Sequence, residues 1–158
     1  MWSWGVAASI IVMDQWTKRL VTRALSPGQG VPVLPPLVQL TYVQNTGAAF
    51  GMLKGQQTLF IWLSVAVIGW ILWQFAVRPP QSRTVSWSLG LVLGGAAGNL
   101  IDRLQLGYVI DFIALPVWPV FNVADSAITI GVFILLLAQV GPFRRFRLVG
   151  RIGRSRRN

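Results

Sequence analysis

The chain has no Glu, no His and no Cys, and its only acids are four Asp among 158 residues. Without Cys there are no disulfides, no thiolate nucleophiles and none of the usual structural zinc sites. Without His, a Ser–His triad and imidazole metal ligation are closed as well. Charge is scarce overall, at 11% of residues, whereas 54% are hydrophobic, which is too apolar for an ordinary soluble domain. The chain is long enough for one compact unit, not several.

Basic residues are the exception, and they are unevenly spread. The net charge is +10, but Arg144, Arg145, Arg147, Arg151, Arg154, Arg156 and Arg157 all follow the last apolar run. A basic cluster there reads as a cytoplasmic topology signal touching anionic lipid headgroups, and equally as a solvated, disordered tail. No nucleic-acid partner is expected.

Four apolar stretches can each cross a bilayer: 2–20, 59–77, 84–101 and 122–140. The first lacks a basic start and a small-residue cleavage site, so it reads as a retained span. Residues 26–57 differ, with Pro27, Gly28, Gly30, Pro32, Pro35 and Pro36 breaking helices and 38–44 alternating as a strand does. Residues 104–121 read as a second loop containing Pro116 and Pro119. The expected fold is an all-α membrane protein, a four-transmembrane-helix bundle with a small extracytoplasmic β cradle. Residues 1–142 form the membrane domain, 26–57 its β-rich segment and 143–158 a basic cytoplasmic tail. Four spans put both termini on one side, and the tail with Arg78 and Arg83 makes that side cytoplasmic. Lys18, Arg19 and Arg23 oppose this, since they fall at the outer edge.

Within this frame the polar residues group. Asp14 and Lys18 are one helical turn apart and can pair, either as a structural ion pair or for chemistry. Asn45 to Phe50 reads equally as a turn or helix start and as a substrate contact. Gly94 and Gly98 admit a close helix neighbour, and Asn99 and Arg103 share a face at the outward end of the third span. Asn122 caps the fourth helix with Asp125 three residues on, a capping box in which Asp replaces Glu. Asp111 lies just past the third helix, in an apolar setting.

Asp125 is thus either only a cap or half of a pair with Asp111. Two neighbouring carboxyls tend to share one proton. The ionised one then activates water while the protonated one polarises a carbonyl, which hydrolyses a peptide bond without a metal or cofactor. The helix N-terminus favours charge on Asp125 and leaves Asp111 as the acid. Two other readings use the same residues: a small proton-coupled transporter with an intramembrane Asp relay, and a structural adaptor in which the Asp residues only cap and pair.

Taken in order, Asp14-Gln15-Trp16-Thr17-Lys18, Asn45-Thr46-Gly47-Ala48-Ala49-Phe50, Gly94 through Arg103, Val109-Ile110-Asp111-Phe112 and Phe121-Asn122-Val123-Ala124-Asp125 resemble the successive motifs of the lipoprotein signal peptidases, or signal peptidase II. The resemblance covers about residues 5–140. It implies a bacterial cytoplasmic-membrane aspartyl endopeptidase, active at the outer face. Such an enzyme removes signal peptides from diacylglyceryl-modified prolipoproteins by cutting before the lipidated Cys. It further implies Asp111 and Asp125 as the catalytic dyad and Asn45, Asn99, Arg103 and Asn122 around the substrate. Asp14, Lys18, Gly95, Gly98 and Asp102 are then structural support. The expected partners are the prolipoprotein signal peptide, membrane lipids and the inhibitor globomycin, with the protein itself a monomer.

Overall fold

The computed structural model describes residues 2–47, 53–80 and 82–140. The basic tail and the Ala48-Ala49-Phe50 part of the second motif lie outside the described residues. The elements in order are helix α1 (Trp2–Ala24), strands β1 (Gly30–Leu34) and β2 (Val38–Asn45), helices α2 (Gln57–Val77) and α3 (Arg83–Gln105), strands β3 (Val109–Leu115) and β4 (Trp118–Phe121), and helix α4 (Val123–Val140).

α3 is the centre of the bundle because its glycines let two helices approach its backbone. A Cβ on Gly94 would come 2.7 Å from the Ala7 carbonyl of α1, and one on Gly90 would come 2.6 Å from that of Ser3. Gly95, one position round the helix, faces the Ala124 carbonyl of α4. A Cβ on Gly98 would lie 2.7 Å from Asp14 Oδ2 of α1 and 3.5 Å from the Ala124 Cβ of α4. Ala7, Ile71, Leu89, Val92 and Leu93 form the apolar core between these helices.

Among the described residues, α2 and α3 are the two helices long and apolar enough to cross a membrane, and the apolar part of α4 is shorter, Val123–Ala138. α1 carries Asp14, Lys18 and Arg19 within its length. Only Ile71 of α2 is buried, so its Trp62, Leu63, Trp70 and Trp73 face outward. Exposed apolar side chains at that density suit a lipid surround rather than water.

The sheet is larger than the sequence suggested. Residues expected as a second loop instead form β3 and β4, giving one antiparallel sheet in the order β1-β2-β3-β4. Asp111 therefore sits on a strand and not in a loop. Gly107, with φ of 82°, ends α3 in the left-handed conformation that only glycine adopts freely, and its N–H reaches the Arg103 carbonyl. This turn sends the chain directly into β3. Val21, Tyr42, Ile110 and Phe112 pack one face of the sheet onto the end of α1.

Candidate active site

The register of β2 on β3 opposes Val43 to Asp111 and Asn45 to Val109. Asn45 is thus the diagonal neighbour of Asp111 on one face of the sheet. Its Oδ1 accepts the Gly47 N–H at 2.9 Å, which turns its Nδ2 toward Asp111 Oδ2 at 2.8 Å.

The other carboxylate comes from the start of α4. Asn122 and Asp125 form the reciprocal cap expected from their spacing. The Asp125 N–H donates to Asn122 Oδ1 at 2.9 Å, and the Asn122 N–H donates to Asp125 Oδ2 at 3.2 Å. Capping leaves Asp125 Oδ1 available, and it accepts Asn99 Nδ2 at 2.7 Å. Asn122 also reaches the strand, its Nδ2 donating to Asp111 Oδ1 at 2.8 Å and lying 3.1 Å from Asn99 Oδ1. One asparagine therefore touches both carboxyl groups, and Asp111 and Asp125 are brought together.

Beneath them lies a buried layer. Lys18 Nζ is 2.8 Å from Asp14 Oδ2, 2.9 Å from Asp102 Oδ2 and 3.1 Å from Asn99 Oδ1. Asp14, Lys18 and Asp102 are each at most 2% exposed. Among the described residues no buried side-chain nitrogen or oxygen lacks a partner. Every acid in the sequence belongs to this single network.

Arg103 behaves differently. Among the described residues its guanidinium makes no hydrogen bond or ion pair. Its Cζ sits 5.1 Å from the centre of the Phe60 ring, within the electrostatic reach of Asp125, Asp111 and Asp102. It lies one turn from Asn99 near the C-terminal end of α3 but does not hydrogen-bond to the same partners.

Full ionisation of the cluster would set four carboxylates against Lys18 and Arg103, a net 2 − 4 = −2 in a mostly buried site. Such an excess favours keeping a proton. Burial, followed by the neighbouring Asp125 charge, pushes Asp111 from its ordinary 3.8 up to about 7. The hydrogen bonds from Asn45 and Asn122, and Lys18, act in the opposite direction.

Two members of the site carried no role in the sequence reading. Gln15 Nε2 donates to Asp102 Oδ1 at 2.8 Å and lies 3.2 Å from the Gly98 carbonyl. Its signal was its position, since Asp14, Gln15 and Lys18 fall within one face of a helix. Phe60 had no signal, being one aromatic among many in an apolar span.

Fold and site together define a class: a small helical membrane protein whose polar cluster, under a surface sheet, is built around two adjacent carboxyl groups. Comparison with known proteins narrows it. The family profile for signal peptidase (SPase) II matches residues 6–140, and the chain belongs to that family. It is 44% identical to the lipoprotein signal peptidase of Halothermothrix orenii over 84% of this chain and 90% of that one. It is also 44% identical to the lipoprotein signal peptidase of Halalkalibacterium halodurans, over 89% and 92% respectively. A solved bacterial membrane enzyme superposes with a TM-score of 0.82 at 28% identity, covering 99% of this chain and 93% of its own.

Proposed function

We propose that this protein is an aspartyl endopeptidase of the bacterial cytoplasmic membrane. It removes the signal peptide from diacylglyceryl-modified prolipoproteins by cutting before the lipidated Cys. The observation that carries this reading is the bridge from Asn122 to Asp111 and Asp125, in a chain of the signal peptidase II family.

Asp125, at a helix N-terminus and hydrogen-bonded by Asn99, is the ionised partner. It takes a proton from a water, whose oxygen attacks the scissile carbonyl carbon. Asp111, still protonated, donates to the carbonyl oxygen, and a gem-diol forms. Collapse of that intermediate breaks the C–N bond as Asp125 passes its proton to the leaving amine and Asp111 recovers one from the diol. Asn45, Asn99 and Asn122 hold both carboxyls at fixed angles. Arg103, which makes no hydrogen bond or ion pair among the described residues, is the donor for a carbonyl or ester oxygen of the substrate.

In this reading all four helices span the membrane, with both termini and the 143–158 tail cytoplasmic. The site opens at the outer face with the sheet lying over it. Pairing of Lys18 with Asp14 and Asp102 explains how that cation is accommodated at the outer edge, against the charge rule. The enzyme acts as a monomer without metal or cofactor and binds globomycin at the same site. The gathering of all four acids into one network favours this reading over a transporter, whose relay would spread carboxyls through the bundle.

The test is incubation of purified protein in lipid with a diacylglyceryl-modified precursor, read by mass, beside Asp111→Asn. Wild type is expected to release the signal peptide and the variant to leave the precursor whole. An intact precursor with active-lipid wild type defeats the reading.

A further inference from the structure

The contacts beneath the carboxyl pair repeat a pattern. Asp14 Oδ1 accepts the N–H of Ala124, the residue before Asp125, at 3.0 Å. Asp102 Oδ2 accepts the N–H of Ile110, the residue before Asp111, at 3.1 Å. Each buried carboxylate thus grips the backbone one residue upstream of one upper carboxyl. The two buried carboxylates are in turn joined twice, by Lys18 at 2.8 and 2.9 Å and by Gln15 Nε2 at 3.3 and 2.8 Å.

We propose that Gln15 is a positioning residue: with Lys18 it clamps Asp14 to Asp102 and so sets the spacing of Asp111 and Asp125. The inference rests on the peptidase reading for its catalytic consequence.

The chemistry of the partners fixes the side chain's orientation. The three atoms around Gln15 Nε2 are two carboxylate oxygens and the Gly98 carbonyl, all acceptors, so the amide must present its NH2 to them. Its contribution is distinct from that of Lys18. Asp102 Oδ2 already serves both Lys18 and Ile110, whereas Asp102 Oδ1 has Gln15 as its hydrogen-bond donor among the described residues. Without that donor the Asp102 carboxylate is free to turn toward Lys18 and loosen its hold on Ile110. Because Gln15 is neutral, it supplies the second link without cancelling the negative excess that keeps a proton on the pair. α1, which carries no residue of the pair itself, thereby spans α3 and α4 and fixes both.

The experiment compares wild type with Gln15→Met, which keeps length and loses the donor, and with Gln15→Asn, which keeps the amide but is a methylene too short. Backbone hydrogen exchange at Ile110 and Ala124 is followed in detergent alongside cleavage kinetics. Expected are several-fold faster exchange at both amides, and kcat lower by about tenfold or more with KM nearly unchanged. The alkaline limb of the pH profile should move to lower pH, because a loosened Asp111 gains water. Asp125, Lys18 and Arg103 are the charged groups facing Asp111, and none is altered. Wild-type exchange at the two amides, or a lower Tm with kcat and pH profile unchanged, would overturn the proposal. Failure of wild type to cut the modified precursor defeats the peptidase reading alone, and the exchange comparison still decides the clamp.

Discussion

Lys18 and Asn99 determine each other's orientation across α1 and α3, with Nζ donating to Oδ1 at 3.1 Å. An ammonium offers no acceptor, so the edge of the amide that meets it is the oxygen. The Asn99 NH2 is thereby turned to Asp125, 2.7 Å away. Lys18 thus acts on the carboxyl pair in two ways, by orienting Asn99 and by its charge, which favours the ionised form of Asp111.

On the proposed mechanism, replacing either carboxyl of the pair removes one of two proton-transfer roles. Asp111→Asn and Asp125→Asn should each lower cleavage of a lipid-modified precursor by roughly 10³-fold, within the range for loss of a general acid or base. Mass analysis of single-turnover reactions measures this. Full activity in Asp125→Asn beside an inactive Asp111→Asn would refute a shared role.

The raised pKa of Asp111, about 7, sets a direction for pH dependence. Activity that needs this carboxyl protonated falls as pH rises through about 7. The Asn45 hydrogen bond favours the ionised form, so Asn45→Leu should shift the alkaline limb to higher pH. Stability follows the same sign. The unfolded chain releases this proton near 3.8 and the folded chain near 7, so the folded state binds more protons between them. The contribution of Asp111 to stability therefore declines as pH rises across that window and is level above it. Melting in detergent at a series of pH values should show a smaller decline in Asp111→Asn than in wild type.

Glycine positions in the helices should separate by sign. Gly98→Ala places a methyl 2.7 Å from Asp14 Oδ2, against a buried carboxylate held by Lys18 and Ala124. It should cost about 1–3 kcal/mol and lower activity. Gly69→Ala on α2 meets nothing within 4 Å and should be neutral or raise stability by roughly 0.5–1 kcal/mol. Thermal unfolding of the two variants side by side tests the contrast.

Phe60 holds Arg103 by ring stacking without a hydrogen bond. Phe60→Leu should raise KM about 2- to 5-fold and leave kcat near wild type, as expected for losing a partly exposed cation–π contact. Arg103→Lys should raise KM further, since an ammonium lacks the planar fork. A drop in kcat alone, with KM fixed, would argue that Arg103 does not bind ground-state substrate.

Much of the site was legible because its residues are rare in their surroundings. Asp111, Asn122 and Asp125 stand out in an apolar chain, and the spacing of the last two predicts the cap that is seen. Gly94 and Gly98 were legible as close-packing positions, Gly94 admitting the α1 backbone and Gly98 the Asp14 carboxylate of the same helix. The β3–β4 hairpin was not legible. Val109 to Phe112 are buried on both faces, so they show none of the alternation that marks a strand. Pro119 suggested a loop, yet it lies on β4 at the edge of the sheet, where a missing N–H is tolerated, as does Pro32 on β1 at the other edge. Sequence patterns along a helix also do not reveal contacts such as Gln15 to Asp102, which are separated by 87 positions.

Because every side-chain carboxyl belongs to one network, a reagent that couples to carboxyl groups has no other side chain to label in this protein. Asp14, Asp102 and Asp111 are sealed from solvent and Asp125 is only partly covered, so modification begins at Asp125. The mass increment located at Asp125 then reports whether a bound molecule shields that carboxyl.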